Sequence, residues 1–313
     1  MKKGTWYALG AYVIWGLFPI YWKWLLAVPA LQLLGHRILW SCVILAGIIL
    51  FTRQWGVFRA TALKLPLLCI YSLAALLIAL NWLIYVWAVN AGFIIEASLG
   101  YFINPLLSVL LGVLFLRERL RAGQWFPISL AALGVFYLTL TYGRLPWIAL
   151  TLATSFGLYG LIKKIAPLGS LYGLSLETAL LFWPAFFYLF YTDRMGYGAF
   201  LHRGAFTDFL LFGAGVITTI PLLLFASAVR RIPLSIAGIM QYITPTLQFL
   251  LGALIYREPF GYNKLIGFAI VWLALILFGL EGFLVHQKQR FMTVHGVSRK
   301  PEEKNKRSLG EGR

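Results

Sequence analysis

The chain has 313 residues, of which 61% are hydrophobic and only 12% charged, and its formal net charge is +17. A soluble domain holds about 45–50% apolar and about 25% charged residues, so a water-soluble globular protein is excluded. The basic balance does not point to nucleic acid, because membrane proteins gather Lys and Arg in their cytoplasmic loops. Much of it sits in the last stretch, in Lys288, Arg290, Arg299, Lys300, Lys304, Lys306, Arg307 and Arg313.

A bilayer core needs about 20 apolar residues per spanning helix. Ten segments qualify in chain order: Gly4–Trp22, Gln32–Thr52, Leu65–Asn90, Ile94–Leu116, Trp125–Thr141, Leu145–Ile162, Tyr172–Thr192, Phe209–Val229, Leu234–Tyr256 and Tyr262–Leu284. Lipid offers the backbone no hydrogen-bond partner, so each span satisfies its own as a helix. The expectation is an all-α membrane protein with ten transmembrane helices. The apolar run after Lys2-Lys3 exceeds the roughly 7–15 residues of a signal-peptide core and reads as a retained first span. Cys42 and Cys69 lie inside apolar runs and suggest neither a disulfide nor a metal pair.

Lys and Arg set the orientation. With ten crossings and a cytoplasmic N-terminus, the inner side takes Lys2, Lys3, Arg53, Arg59, Lys64, Arg117, Arg119, Arg121, Lys163, Lys164, Arg230, Arg231 and the tail. The outer side takes only Lys23, Arg144, Arg194, Arg203, Arg257 and Lys264. Both termini are therefore expected in the cytoplasm.

The chain repeats itself. Ile103–Glu118 (INPLLSVLLGVLFLRE) and Ile243–Glu258 (ITPTLQFLLGALIYRE) agree at nine of sixteen positions, including Pro105/Pro245, Gly112/Gly252 and the closing Arg-Glu pairs. Five spans per half is an odd number, so the second half enters the membrane from the opposite side. Such inverted repeats are a transporter signature, with a binding site at the repeat interface. Residues 4–141 and 145–284 are read as the two repeats, and 285–313 as a disordered basic tail.

Ionisable residues inside the hydrocarbon are costly and want a partner or a wet cavity. His36, Arg37, Glu96 and Glu177 are the candidates. Arg37 can pair with Glu96 in the outer half, and Glu177 with Lys163 or Lys164 in the inner half. Lys23 and Lys163 sit near span ends, where snorkelling to the headgroups is the simpler expectation. Uncharged polar candidates for a lined pathway are Asn81, Asn90, Tyr101, Asn104, Thr218, Thr219, Gln241, Tyr242 and Thr246, with Thr244 and Gln248 nearby. The alternative for each is ordinary interhelical hydrogen bonding. Pro105, Pro221 and Pro245 are candidate helix breaks, each freeing a carbonyl one turn back. Gly10, Gly16, Gly47, Gly112, Gly134, Gly157, Gly160, Gly252 and Gly267 are candidate close-packing sites. Trp and Tyr gather near span ends, as interfacial belts do.

Several runs together resemble the RarD family, in the EamA group of the drug/metabolite transporter superfamily. They are Trp15-Gly16 with Lys23, His36-Arg37 with Trp40-Ser41, Asn81-Trp82, Trp87 with Asn90, and above all EASLGYFINP at 96–105. Glu177-Thr178, Thr218-Thr219 with Pro221, Gln241-Tyr242 and Pro245-Thr246 carry the resemblance into the second half. It implies two EamA repeats, ten helices, a bacterial inner-membrane location and a permease-like role often linked to chloramphenicol sensitivity. It names no substrate.

The leading expectation is a secondary transporter that moves a small metabolite or drug by alternating access, with protons as a candidate coupling ion. No GxxxxGK[ST] loop is present to bind nucleotide, and no cofactor or metal is expected. An intramembrane enzyme would need a nucleophile with a base, or a metal cluster, and no HExxH or GxSxG motif occurs. A structural or sensory membrane protein is the third reading. The expected partners are the substrate, the lipid bilayer and protons, without nucleic acid; the oligomeric state is left open.

Overall fold

The computed structural model describes residues 2–62, 64–91, 93–142, 145–255 and 262–294, with the side chains of some residues inside these ranges, among them Asn90, Glu96, Gly252 and 286–294, left undescribed. Arg257, Glu258 and the tail beyond Val294 lie outside the described residues. Among the described residues all regular structure is helical. The helices are α1 (Lys2–Lys23), α2 (Ala30–Phe51), α3 (Trp55–Ala62), α4 (Leu65–Asn90), α5 (Ile94–Leu114), α6 (Ala122–Tyr142) and α7 (Trp147–Ile165). They continue as α8 (Ser170–Arg194), α9 (Ala205–Val229), α10 (Leu234–Met240), α11 (Ile243–Leu250) and α12 (Tyr262–Val294), with a π-helical turn at Leu251–Ile255.

Among the described residues, seven stretches are long and apolar enough to cross a bilayer: Ala30–Phe51, Leu65–Ala88, Ala122–Leu140, Trp147–Ile165, Ser170–Arg194, Ala205–Val229 and Leu265–Val285. The three other expected spans fall short for visible reasons. The sequence of α1 is diluted by Lys, Trp and Tyr. The described apolar part of α5 is only Leu99–Leu114. The ninth expected span is broken into α10, α11 and the π turn. Many large apolar side chains face outward, Phe51, Leu114, Phe187 and Leu254 among them, as a lipid-facing surface requires.

The break between α10 and α11 has a local cause. Pro245 has no N–H to offer the carbonyl of Gln241 one turn back. That carbonyl instead accepts from Thr244 N at 3.0 Å, and Gln241 N divides its bond between Ala237 O and Gly238 O. The chain turns at Gln241-Tyr242. Pro105 and Pro221, expected to break their helices, do not: α5 and α9 run through them. A proline inside a helix removes its own N–H and bends the path, but packed neighbours can keep the helix continuous.

Helix neighbours follow a pattern. α5 lies on α7, and α1 lies on α11; α2 lies on α9, and α4 on α8; α1 lies on α9, and α4 on α7. The pairs α6–α12, α5–α10 and α2–α8 complete the bundle. Its largest core joins Ala8, Ala11 and Tyr12 of α1 to Tyr159 of α7, Phe225 and Val229 of α9, and Leu234 and Ala237 of α10. α6 and α12 form a flanking pair through Val135, Phe268 and Val271.

The α2–α9 contact is close because Gly215 has no side chain. A Cβ there would meet Trp40 Cβ at 2.5 Å and Ser41 N at 2.8 Å, and Ser41 donates to Gly215 O at 3.1 Å. Gly238 seats α10 on α5 in the same way, 2.8 Å from Pro105 O to its would-be Cβ. Neither glycine was expected as a packing site, whereas Gly47, which was, has open space around it. Gly215→Ala is expected to destabilise the protein by about 1–3 kcal/mol through overpacking. Gly47→Ala, on an exposed helix surface, should leave stability unchanged or slightly raised. Thermal unfolding of both variants in one detergent checks the contrast.

Candidate functional site

A cavity of about 250 Å³ opens within the bundle. It is close to the lower end of the usual small-molecule range of about 300–1,000 Å³. Trp15, Phe18, Pro19 and Trp22 of α1, Arg37 of α2, and Asn81, Trp82 and Tyr85 of α4 form one side. Gly100, Tyr101 and Asn104 of α5, Leu152 and Phe156 of α7, and Thr218 and Leu222 of α9 form the other. Gln241, at the break, and Thr244 and Gln248 of α11 close it. The cavity occupies the half of the bundle that holds the C-terminal end of α1 and the N-terminal end of α2. The other half is filled by the main core.

Six predicted residues meet here: Arg37, Asn81, Tyr101, Asn104, Thr218 and Gln241. Their spacing explains how separate helices deliver them. Gly100, Tyr101 and Asn104 stand at helical intervals on α5, as do Thr218 and Leu222 on α9. The sequence reading missed the aromatic wall. Trp15, Trp22 and Trp82 were not named as pathway residues, Trp and Tyr near span ends being read only as interfacial belts, yet all three line the cavity. The available signal was a polar pathway candidate beside the ring in sequence: Trp82 follows Asn81 directly.

Arg37 is the central group. Its Nε donates to Thr218 Oγ1 at 2.9 Å, which joins α2 to α9. Its guanidinium carbon lies 5.0 Å from the Trp22 ring centre and 4.7 Å from that of Trp82. Aromatic faces attract a cation, and more strongly where water is excluded. Among the described residues no carboxylate forms an ion pair with Arg37. Glu96, the partner expected from sequence, has a side chain outside the described residues, as does Asn90.

The neutral polar groups are partly engaged. Asn81 Nδ2 donates to Leu152 O at 2.8 Å and to Ser155 Oγ at 3.0 Å, tying α4 to α7. Thr244 Oγ1 donates to Tyr12 O at 3.0 Å, and Gln248 Nε2 to Trp15 O at 3.2 Å. Both carbonyls belong to α1 near its helix-internal Pro19. Asn104 is only 3% exposed, and its Oδ1 has no hydrogen-bond partner. A buried polar atom left unpaired costs about 1–3 kcal/mol, so it is held for a reason.

The other predicted residues lie elsewhere. Glu177 (1% exposed) accepts from Lys163 Nζ at 2.7 Å and from Tyr159 Oη at 3.1 Å. Lys163 also sits 5.5 Å from the Tyr71 ring centre, and it is buried, so it does not snorkel. The carboxylate draws it inward. His36 packs its ring on Phe200, and its Nδ1 is unpartnered. Thr219 Oγ1 is also buried without a partner. Tyr242 donates to Phe102 O at 3.1 Å, and Thr246 accepts from Trp272 Nε1 at 3.0 Å; both join helices away from the cavity.

The Lys163–Glu177 pair is a desolvated ion pair, so its loss is asymmetric. Glu177→Ala leaves a buried ammonium and should cost about 3–5 kcal/mol. Exchanging both partners for apolar residues, as in Lys163→Met with Glu177→Leu, should recover most of that. Unfolding midpoints of the single and double variants test this.

Comparison with known proteins gives a consistent answer. Residues 2–140 match the model of the EamA-like transporter family. The uncharacterized transporter YojE of Bacillus subtilis is 47% identical over 88% of this chain and 93% of its own. Protein RarD of Streptomyces exfoliatus is 41% identical over 92% of both chains. Protein RarD of Escherichia coli is 40% identical over 92% of this chain and 97% of its own. A solved crystal structure with 17% sequence identity superposes on 89% of this chain and 98% of its own with a TM-score of 0.66, which shows a shared fold. The chain belongs to the RarD family of EamA-like transporters, and it is a multi-pass membrane transporter.

Proposed function

We propose that the chain is a secondary transporter that binds a small molecule in the Arg37 cavity and exposes it alternately to the two sides of the bacterial inner membrane. One observation carries this reading: the cavity is walled by both halves of the chain, α1, α2, α4 and α5 from the first, α7, α9 and α11 from the second. A site between two repeats changes its access when one repeat rocks against the other.

The helix neighbours support two inverted five-helix repeats. Exchange α1 with α7, α2 with α8, α4 with α9, α5 with the α10–α11 segment, and α6 with α12. The pair α5–α7 then becomes α11–α1, α2–α9 becomes α8–α4, and α1–α9 becomes α7–α4, all of them observed neighbours. The pairs α6–α12, α5–α10 and α2–α8 map onto themselves. This is the behaviour of a pseudo-two-fold axis, with ten spans as its content.

The side away from the cavity is closed by specific contacts. Tyr12 Oη donates to Ala237 O at 2.8 Å. Glu118 accepts from Leu234 N at 2.6 Å, Ser235 N at 2.9 Å and Ser235 Oγ at 2.7 Å, a carboxylate on the N-terminus of α10. Lys164 Nζ donates to Ile232 O at 2.6 Å. In the topology set by Lys and Arg this is the cytoplasmic side, so the cavity belongs to the outer half. Inward opening then requires α10 to leave Glu118 and Tyr12.

Access can be tested without knowing the substrate. In a background lacking Cys42 and Cys69, Gln248→Cys should react with membrane-impermeant thiol reagents applied from either side of oriented vesicles. Labelling from one side alone, under all conditions, would remove alternating access. Proton coupling is a separate matter. Glu96→Gln and Glu177→Gln should each change flux or its pH dependence in proteoliposomes while the protein stays folded. If both keep full flux of an identified substrate with the wild-type pH profile, neither carries the proton.

A further inference from the structure

We propose that the ligand of the central cavity is a small organic carboxylate with a planar apolar body, and that Arg37 is its anion receptor. This deepens the transport reading and rests on it, because the cavity is taken as the transport site.

Arg37 makes the argument. It is a permanent cation, and an intramembrane charge is tolerated only when something compensates it. Among the described lining residues it is the only charged one, and it is a cation. Two ring faces and one hydroxyl are its described partners. A guanidinium has five N–H donors, and Nε is committed to Thr218. The two terminal nitrogens have no hydrogen bond recorded to any described residue. They form a planar fork that matches the two oxygens of a carboxylate, which a lysine ammonium cannot reproduce. Thr218, Trp22 and Trp82 hold the fork in place before any ligand arrives, which lowers the ordering cost of binding.

The rest of the cavity fits the other end of such a ligand. Its walls include Trp15, Trp22, Trp82, Phe156 and Tyr101, and its volume suits a single small ring system. Asn104 supplies an unpaired amide atom buried in the same wall. The O and N of an amide exchange by a flip, so this group can serve either a donor or an acceptor on the ligand. The arrangement is a cation at one place, flat apolar surface around it, and one spare polar contact. A neutral ligand would leave the guanidinium uncompensated, and a cationic one would be repelled.

The test uses the full-length protein in detergent and titration calorimetry, because the chain has 12 Trp and indole probes share their fluorescence. The probes are indole-3-acetate, its neutral isostere indole-3-acetamide, and the cation tryptamine. The acid should bind roughly 10-fold to 100-fold more tightly than the amide, the range expected for charge-assisted hydrogen bonds. Tryptamine should bind more weakly still. Arg37→Gln should erase the preference for acid over amide, and Arg37→Lys should retain part of it. Equal binding of acid and amide to the wild-type protein, or no binding of the acid, overturns the proposal without any variant. Recovery of acid binding in the Arg37→Gln/Glu96→Gln pair also overturns it, because Arg37 would then serve only to neutralise Glu96. These outcomes do not touch the transport reading, which stands or falls with two-sided labelling at Gln248→Cys.

Discussion

A polar group inside a bilayer has no water to turn to, and this one condition organises the bundle. Most of the groups that cannot be solvated are joined to groups on other helices. Arg37 ties α2 to α9 through Thr218 and rests on rings from α1 and α4. Lys163 and Glu177 lock α7 to α8, with Tyr159 on the second carboxylate oxygen. Asn81 locks α4 to α7. Glu118 answers the free N–H groups at the start of α10, where a helix leaves its first donors unpaired. Each of these bonds does structural work because the alternative is an orphan in hydrocarbon. Each is also a place where the bundle can be switched, because breaking one demands that another partner be ready.

The two halves of the cavity's axis are built in opposite ways. Toward the C-terminal end of α1 the space between helices is held open by aromatic walls and polar groups. Toward the N-terminal end it is filled by Tyr12, Tyr159 and Phe225, whose rings pack against one another, and by small residues that let α1, α9 and α10 approach. Close approach depends on glycine: Gly215 sits on the backbone of α2 at Trp40-Ser41, and Gly238 on that of α5 at Pro105. The discontinuous segment α10–α11 lies between the filled half and the open half. Its break at Gln241 places a side chain in the cavity wall, while α10 itself is capped by Glu118 on the far side. A segment attached to both ends of the pathway is well placed to couple them.

Much of this was legible in the residues. The apolar runs foretold the helices, since a period of about 20 oily residues has few other solutions. The repeated block around Pro105 and Pro245 pointed to the pair of segments, α5 and α10–α11, that meet at the centre. The rarity of intramembrane polar residues made Arg37, Asn81, Tyr101, Asn104, Thr218 and Gln241 conspicuous, and these six do converge. The reading failed where side chains have two homes in a membrane protein. A tryptophan near a span end suits the headgroup belt as well as a cavity wall, and only the assembled bundle brings Trp22 of α1 and Trp82 of α4 to Arg37. A lysine near a span end can snorkel or turn inward, and Lys163 turns inward because Glu177 is there to receive it.

Sequence alone determined the solvent this protein lives in, the helical character of its spans, the duplication and the family, because these follow from composition, run length and local identity. Tertiary structure decided which polar residues share one cavity and which are bonded elsewhere in the bundle. Glu177, Tyr242 and Thr246 looked as promising as Arg37 and Thr218, yet they are consumed by contacts with Lys163, Phe102 and Trp272. Whether a polar side chain is spent or left free depends on what the neighbouring helix presents at the same depth. That is fixed by crossing geometry and close contacts between segments as far apart as Tyr12 and Thr244, 232 positions away, which no local pattern encodes.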